Sequence, residues 1–170
     1  FVLGRQQMRL TIPNIVKTKS GTHCLGIKKR WLGTPPEPWI DRYVMEPGSK
    51  GAALFNWNRL VQKAHEYVLV IEGVLDAILL DQLGIPAVAP FGGGGVWQPD
   101  WTKWFSRARR ILVVADNDAS GKGLELAERK VEMLGRGTVV FPPGGAKDMG
   151  EAYLAGENLA RWAAAVARST

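Results

Sequence analysis

The 170-residue sequence has one cysteine and two histidines, and each shortage removes a class of chemistry. Cys24 alone can form neither an internal disulfide nor a zinc knuckle, so a reducing compartment and a zinc-free site are expected. Cys24 itself reads as a small buried apolar residue. His23 and His65 stand apart from the acids in the sequence and read as ordinary surface or lobe residues, not ligands. Long hydrophobic runs are missing too. Tyr67 to Ile71 and Ile111 to Ala115 fall far short of the roughly 20 residues that cross a bilayer, so no membrane segment is expected. With 46% apolar against 22% charged residues, a disordered chain is also excluded. The sequence opens on Phe1 without a charged-then-apolar leader, and it reads as a piece of a longer cytoplasmic protein.

Charge is plentiful but uneven. Residues 1–65 carry 11 Lys and Arg against 3 acids, while residues 66–170 carry 11 against 13, so a portion of net +8 precedes one of net −2. Basic residues interleaved with aromatics at Lys28, Lys29, Arg30, Trp31, Trp39, Arg42 and Tyr43 suit a phosphate backbone, because each neutralised phosphate releases counterions. A solvated basic face would have the same composition.

The texture changes at the same place. Before Tyr67 there are short strand-like runs, "MRLTIP", "THCLGIKKRW" and "WIDRYVME", broken at Ser20-Gly21, "GTPPEP" and "PGSKG". From Tyr67 on, strands and helices alternate: strand "YVLVIEG", helix "VLDAILLDQLG", strand "IPAVAP", glycines Gly92 to Gly95, helix "PDWTKWFSRA", strand "RRILVVAD", helix "ASGKGLELAERKVEMLG", strand "GTVVFPP", and two closing helices. Strands joined by helical crossovers run parallel. The expected fold is α/β, an open parallel sheet flanked by helices over residues 66–170, preceded by a small basic β-rich subdomain over residues 1–65. No linker is long enough for independent domains.

In open parallel sheets, ligands bind beyond the carboxyl ends of the strands. Acids fall there: Glu72 after the first of these strands, Asp116 and Asp118 after the third, and Asp148 after the fourth. Asp76 lies at i+4 from Glu72, on the same side. Gathered on one edge, these acids would repel one another unless a cation sat among them. Oxygen donors without His or Cys select a hard ion, Mg²⁺ or Mn²⁺. Asp118 and Asp148 each also suit a helix cap. Trp97, Trp101 and Trp104 read as packing against the sheet, and Lys122 as a helix N-terminus with a phosphate contact open to it.

The combination "VLVIEGVLDA", "VAPFGGG", "ILVVADNDASGKG" and "PGGAKDMGEA" resembles the Toprim domain, in which Glu72-Gly73 and Asp116-Asn117-Asp118 stand at the signature positions. Within that superfamily the chain is most similar to the catalytic core of bacterial DnaG-type primases, clearly so in the α/β half and more loosely before it. The resemblance implies that Glu72 acts as general acid or base and helps hold metal. It gives Asp116 and Asp118 as catalytic metal ligands and Asp76 and Asp148 as further acids of the site. It implies Arg30 and Lys50, with Arg9, Lys28 and Lys29 as weaker candidates, as contacts for template strand or nucleotide, beside Lys122 from its helix N-terminus. The activity implied is synthesis of short RNA primers on single-stranded DNA from nucleoside triphosphates, at the nucleoid, beside a replicative helicase bound through other regions. Gly150 departs from the pattern, since primases carry a second acid there; Glu151 is the substitute at hand. A nuclease or topoisomerase piece, a non-catalytic nucleic-acid-binding domain, and an unrelated Mg²⁺-dependent phosphotransfer fold are the alternatives.

Overall fold

The computed structural model describes residues 9–35 and 37–170. Met8 of the first strand-like run and Pro36 of the proline-rich break lie outside them. The chain divides into two compact units, one ending at Gly51 and the other spanning Ala52–Thr170.

The first unit is a three-stranded antiparallel sheet in the order β1-β2-β3, with β1 at Arg9–Thr18, β2 at Gly21–Trp31 and β3 at Tyr43–Met45. β1 alternates as a half-buried strand should: Ile12, Asn14 and Val16 are buried while Thr11, Pro13 and Ile15 are exposed. The β1–β2 register slips between Asn14 and Ile15, a bulge in the pairing. Cys24, expected to be buried, is exposed opposite Ile15 beside this slip, where the alternation that buries Gly26 and Lys28 has been interrupted.

The second unit carries a five-stranded sheet ordered β4-β6-β5-β7-β8. Its members are β4 (Leu54–Phe55), β5 (His65–Val70), β6 (Ala87–Pro90), β7 (Ala108–Val114) and β8 (Thr138–Val140). β5 to β8 pair in parallel, as expected of strands joined by crossovers. β4 was not expected. It pairs antiparallel with β6 and, with α1 (Asn58–Gln62), places residues 52–65 in the α/β unit although their charge goes with the basic portion. Leu54 and Leu60 are fully buried there.

Val68, Leu69, Val70 and Ile71 are all essentially inaccessible, because helices cover both faces of β5. One face packs Val68, Val70 and Val113 against Trp97, Trp101, Phe105, Ala127 and Leu134, from the segment after β6 and from α3 (Lys122–Leu134). By alternation Leu69 and Leu112 face the other way, where α2 (Val74–Gln82), α4 (Met149–Leu154) and α5 (Leu159–Ser169) follow in the chain. The helix expected over Pro99 is a 3₁₀-helix, Pro99–Arg107. Residues three apart eclipse in that geometry, which lets Trp101 and Trp104 stack with centroids 6.3 Å apart, and Trp104 stacks in turn on Trp57.

Candidate active site

The carboxyl ends of β5, β7 and β8 present the acids. Glu72 follows β5 and immediately precedes Gly73, the extended residue that opens α2. The glycine loop after β6 closes on it: a Cβ at Gly94 would stand 2.3 Å from Glu72 Cγ and 2.7 Å from Oε1. No larger residue fits there without displacing the carboxylate. Asp76 lies in the first turn of α2, and its Oδ1 accepts from the Gly150 N–H at 3.0 Å. Gly150 is the departure noted in the sequence, and geometry explains it. A Cβ at Gly150 would already lie 3.1 Å from Asp76 Oδ1 and 3.3 Å from Asp148 Oδ1, so a second acid there would crowd two others.

Charge repulsion binds four of these groups into one site. Burial, then Asp148, and last Glu72 push the Asp76 carboxyl up to about 6, against the Gly150 N–H, which pulls it down. Burial, then Glu72, Asp76 and Asp148 push Asp116 up to about 7, with Lys147 opposing them. Asp118 behaves differently. Its Oδ1 accepts from the Ser120 N–H at 2.9 Å and from the Ser120 hydroxyl, and its Oδ2 accepts from the Gly123 N–H at 2.8 Å. These bonds hold its carboxyl below the usual range, the Ser120 hydroxyl most of all. Both oxygens therefore serve the start of α3, and Asp118 is not among the charges acting on Asp76 or Asp116.

Asp148 also caps a helix, its Oδ1 accepting from the Glu151 N–H at 2.7 Å. Glu151, the substitute for an acid at 150, accepts from the Lys147 N–H, so it completes the same helix start. Among the described residues no three His, Cys, Asp or Glu side chains converge closely enough to form a ready-made ligand set. The donor chemistry nevertheless fits a hard divalent cation: Glu72, Asp76, Asp116 and Asp148 offer oxygens alone, and the charge of Asp76 and Asp116 is penalised until a cation offsets it. Two cations near the site, Lys130 and Lys147, went unmarked in the sequence. Lys130 shares the buried face of α3 with Ala127 and Leu134, where Val131 was the expected member, and Lys147 falls in a turn with no pattern around it.

In the first unit the basic candidates separate by strand alternation. Lys28 and Arg30 share one face with Tyr43: their cationic groups lie 5.5 and 5.8 Å from its ring centroid, and Arg30 Nε donates to the phenol oxygen at 3.1 Å. Lys28 is only 8% exposed, and burial lowers its ammonium pKa. Arg9 and Lys29 lie on the opposite face, Arg9 over Trp31 at 4.9 Å and Lys29 paired with Glu46 at 2.6 Å. Lys50 is exposed, and its backbone N–H donates to Leu25 at 2.8 Å. Lys122, in the second unit, is exposed at the first position of α3. His65 is buried, and its Nε2 pairs with the Arg59 carbonyl.

No protein family and no curated protein matches the sequence. Solved structures do match. The primase catalytic core of E. coli is 26% identical with a TM-score of 0.60, covering 82% of this chain and 46% of that one. The primase fragment of the bacteriophage T7 primase-helicase protein is 19% identical with a TM-score of 0.64, covering 87% and 59%. The Aquifex aeolicus primase, solved as its zinc-binding and RNA polymerase domains, is 20% identical with a TM-score of 0.66, covering 95% and 40%. The chain thus spans about half the length of the structures it matches. With its mixed sheet order, its helices on both faces and an antiparallel sheet preceding them, the chain has the fold of the catalytic core of DnaG-type primases.

Proposed function

We propose that this chain is the catalytic-core portion of a DNA primase and joins ribonucleotides into short primers on single-stranded DNA. The observation that carries the reading is the gathering of Glu72, Asp76, Asp116 and Asp148 at one edge of the sheet of a primase-core fold, close enough that Glu72 and Asp148 raise the Asp76 and Asp116 carboxyls. The alternatives of nuclease and plain binding module lose ground to the likeness of fold, which runs over 82% of the chain at 26% identity to a primase core. One matching DnaG catalytic domain was solved bound to single-stranded DNA, and matching T7 primase domains with an RNA/DNA hybrid and dTTP.

The four coupled carboxylates, with Asp118 beside them in sequence, would hold Mg²⁺ or Mn²⁺. When bound, such an ion supplies charge stabilisation to a triphosphate and its departing pyrophosphate. The chain's own residues do the rest. Glu72, fixed against Gly94, accepts the proton of the attacking hydroxyl at its carboxylate. Asp118 stays anionic and keeps the start of α3 in place below Asp116. Arg9, Lys28, Lys29, Arg30, Lys50 and Lys122 supply contacts for template and nucleotide phosphates, largely without base readout. Aromatics beside them, Trp31 and Tyr43, add stacking surface. A replicative helicase is the partner expected for the longer protein, in the cytoplasm at the nucleoid; no helix among the described residues is long and apolar enough to cross a membrane.

The test is oligoribonucleotide synthesis from nucleoside triphosphates on single-stranded DNA with Mg²⁺ or Mn²⁺. Template-dependent product that disappears with EDTA supports the reading. Cleavage of the template without product would transfer the site to a nuclease, and neither product nor extension of an annealed primer would leave a binding module.

A further inference from the structure

A cation sits where a core residue belongs. Gly123, Ala127, Lys130 and Leu134 form the buried face of α3, and Lys130 is only 3% exposed. The face begins on Asp116: a Cβ at Gly123 would stand 2.2 Å from the Asp116 carbonyl oxygen. Helical side chains lean toward the helix N-terminus, so the Lys130 stem runs from the third turn back toward the end of α3 that packs on Asp116. On its other side Lys130 lines a cavity of about 120 Å³ with Gly94, Gly95 and Trp97, and Gly94 is the residue pressed against Glu72. A glycine packed on Asp116 and a glycine packed on Glu72 therefore lie on either side of it. Burial lowers the pKa of its ammonium, and Glu72 and Asp116 are the two charges that oppose this. A buried ammonium is retained only where opposite charge compensates its lost hydration.

We propose that Lys130 is a positioning residue of the carboxylate cluster: a positive charge on the buried face of α3 that offsets the repulsion between Glu72 and Asp116 in the metal-free protein and, by the same charge, weakens their hold on a divalent cation. This rests on the cluster being the cation site of the proposed function. A neutral core residue at 130 would leave the acids with more unopposed charge, so the cation would bind more tightly and the cation-free protein would be less stable. The arrangement sets a moderate affinity that lets the ion exchange.

Two measurements test it, neither of them activity. The first is calorimetric titration with MnCl₂ of the wild type, Lys130→Met and Lys130→Arg. Lys130→Met is expected to bind Mn²⁺ roughly tenfold more tightly, the effect of removing one like charge several ångströms from a doubly charged ion. Lys130→Arg is expected to stay within about twofold of the wild type, since the charge remains. Unchanged or weaker binding by Lys130→Met, or an equal shift in Lys130→Arg, overturns the proposal. The second is a thermal double-mutant cycle in EDTA between Lys130→Met and Glu72→Gln. The loss in Tm caused by Lys130→Met should be smaller when Glu72 is already neutral. Additive changes overturn the proposal. If Lys130→Met does not fold, the double variant is expected to recover folding, and its failure to do so counts against the proposal. A wild type that binds no Mn²⁺ defeats the cation site of the proposed function, and the cycle in EDTA then decides Lys130 on its own.

Discussion

At the scale of single residues, the site is defined by how closely glycine backbones approach carboxylates. Gly94 is the clearest case: replacing it with alanine puts a methyl group 2.3 Å from Glu72 Cγ, and either the loop or the glutamate must shift. Gly94→Ala is expected to lower primer synthesis by at least about tenfold through misplacement of Glu72 while the protein stays folded. Steady-state rates with a circular dichroism melt check this. The raised carboxyls give a second prediction. Asp116 at about 7 and Asp76 at about 6, both from 3.8, bind protons more tightly folded than unfolded. Stability from this source is present at low pH and is lost as pH rises from about 4 to about 7. Without metal, the chain should be less stable at pH 7.5 than at pH 5 by on the order of 1 kcal/mol, solvent screening included. Asp116→Asn should raise the Tm at pH 7.5 and flatten that slope. A flat wild-type profile in EDTA would contradict the coupling. Glu72 and Asp116 are legible in sequence because each follows an apolar strand, where a carboxylate has little structural work, whereas Asp148 reads equally as the helix cap that it also is. Lys130 is not legible, because its spacing is that of a core residue and only the packing reveals what it faces.

At the scale of elements, two acids of the site also start helices, and the two duties separate experimentally. Asp148 accepts from Glu151 N–H at 2.7 Å as the cap of α4. Serine can make that bond without the charge. Asp148→Ala is therefore expected to cost about 1 kcal/mol, and Asp148→Ser to restore most of it, while both lose synthesis. Denaturant melts beside rates decide; recovery of activity by Ser would mean that Asp148 is only a cap. The sheet's parallel strands and their crossover helices are readable from apolar runs and glycine stops. β4 and α1 are not, being too short to show a period. The 3₁₀ geometry of Pro99–Arg107 is likewise hidden, because tryptophans three apart suit both helix types until stacking selects one.

At the scale of the whole molecule, charge and packing divide the chain at different places. Net charge changes near residue 65, whereas contacts change at Gly51, because Leu54 and Leu60 belong to the α/β core and Phe91 N–H bonds the Ala53 carbonyl at 2.8 Å. A fragment of residues 52–170 is expected to melt cooperatively by itself. A fragment of residues 66–170, with the β6 edge uncovered and two buried leucines removed, is expected to aggregate or melt without a sharp transition. Equal behaviour of the two would show that β4 and α1 are dispensable. The central claim concerns chemistry: the coupled carboxylates of the second unit, and not the basic sheet of the first, carry out nucleotidyl transfer. Its most direct test is single-turnover ribonucleotide incorporation by Glu72→Gln and Asp116→Asn, with single-stranded DNA binding measured on the same preparations. Incorporation is expected to fall by at least about a hundredfold with DNA binding unchanged. Incorporation at near wild-type rate in either variant would contradict the central claim.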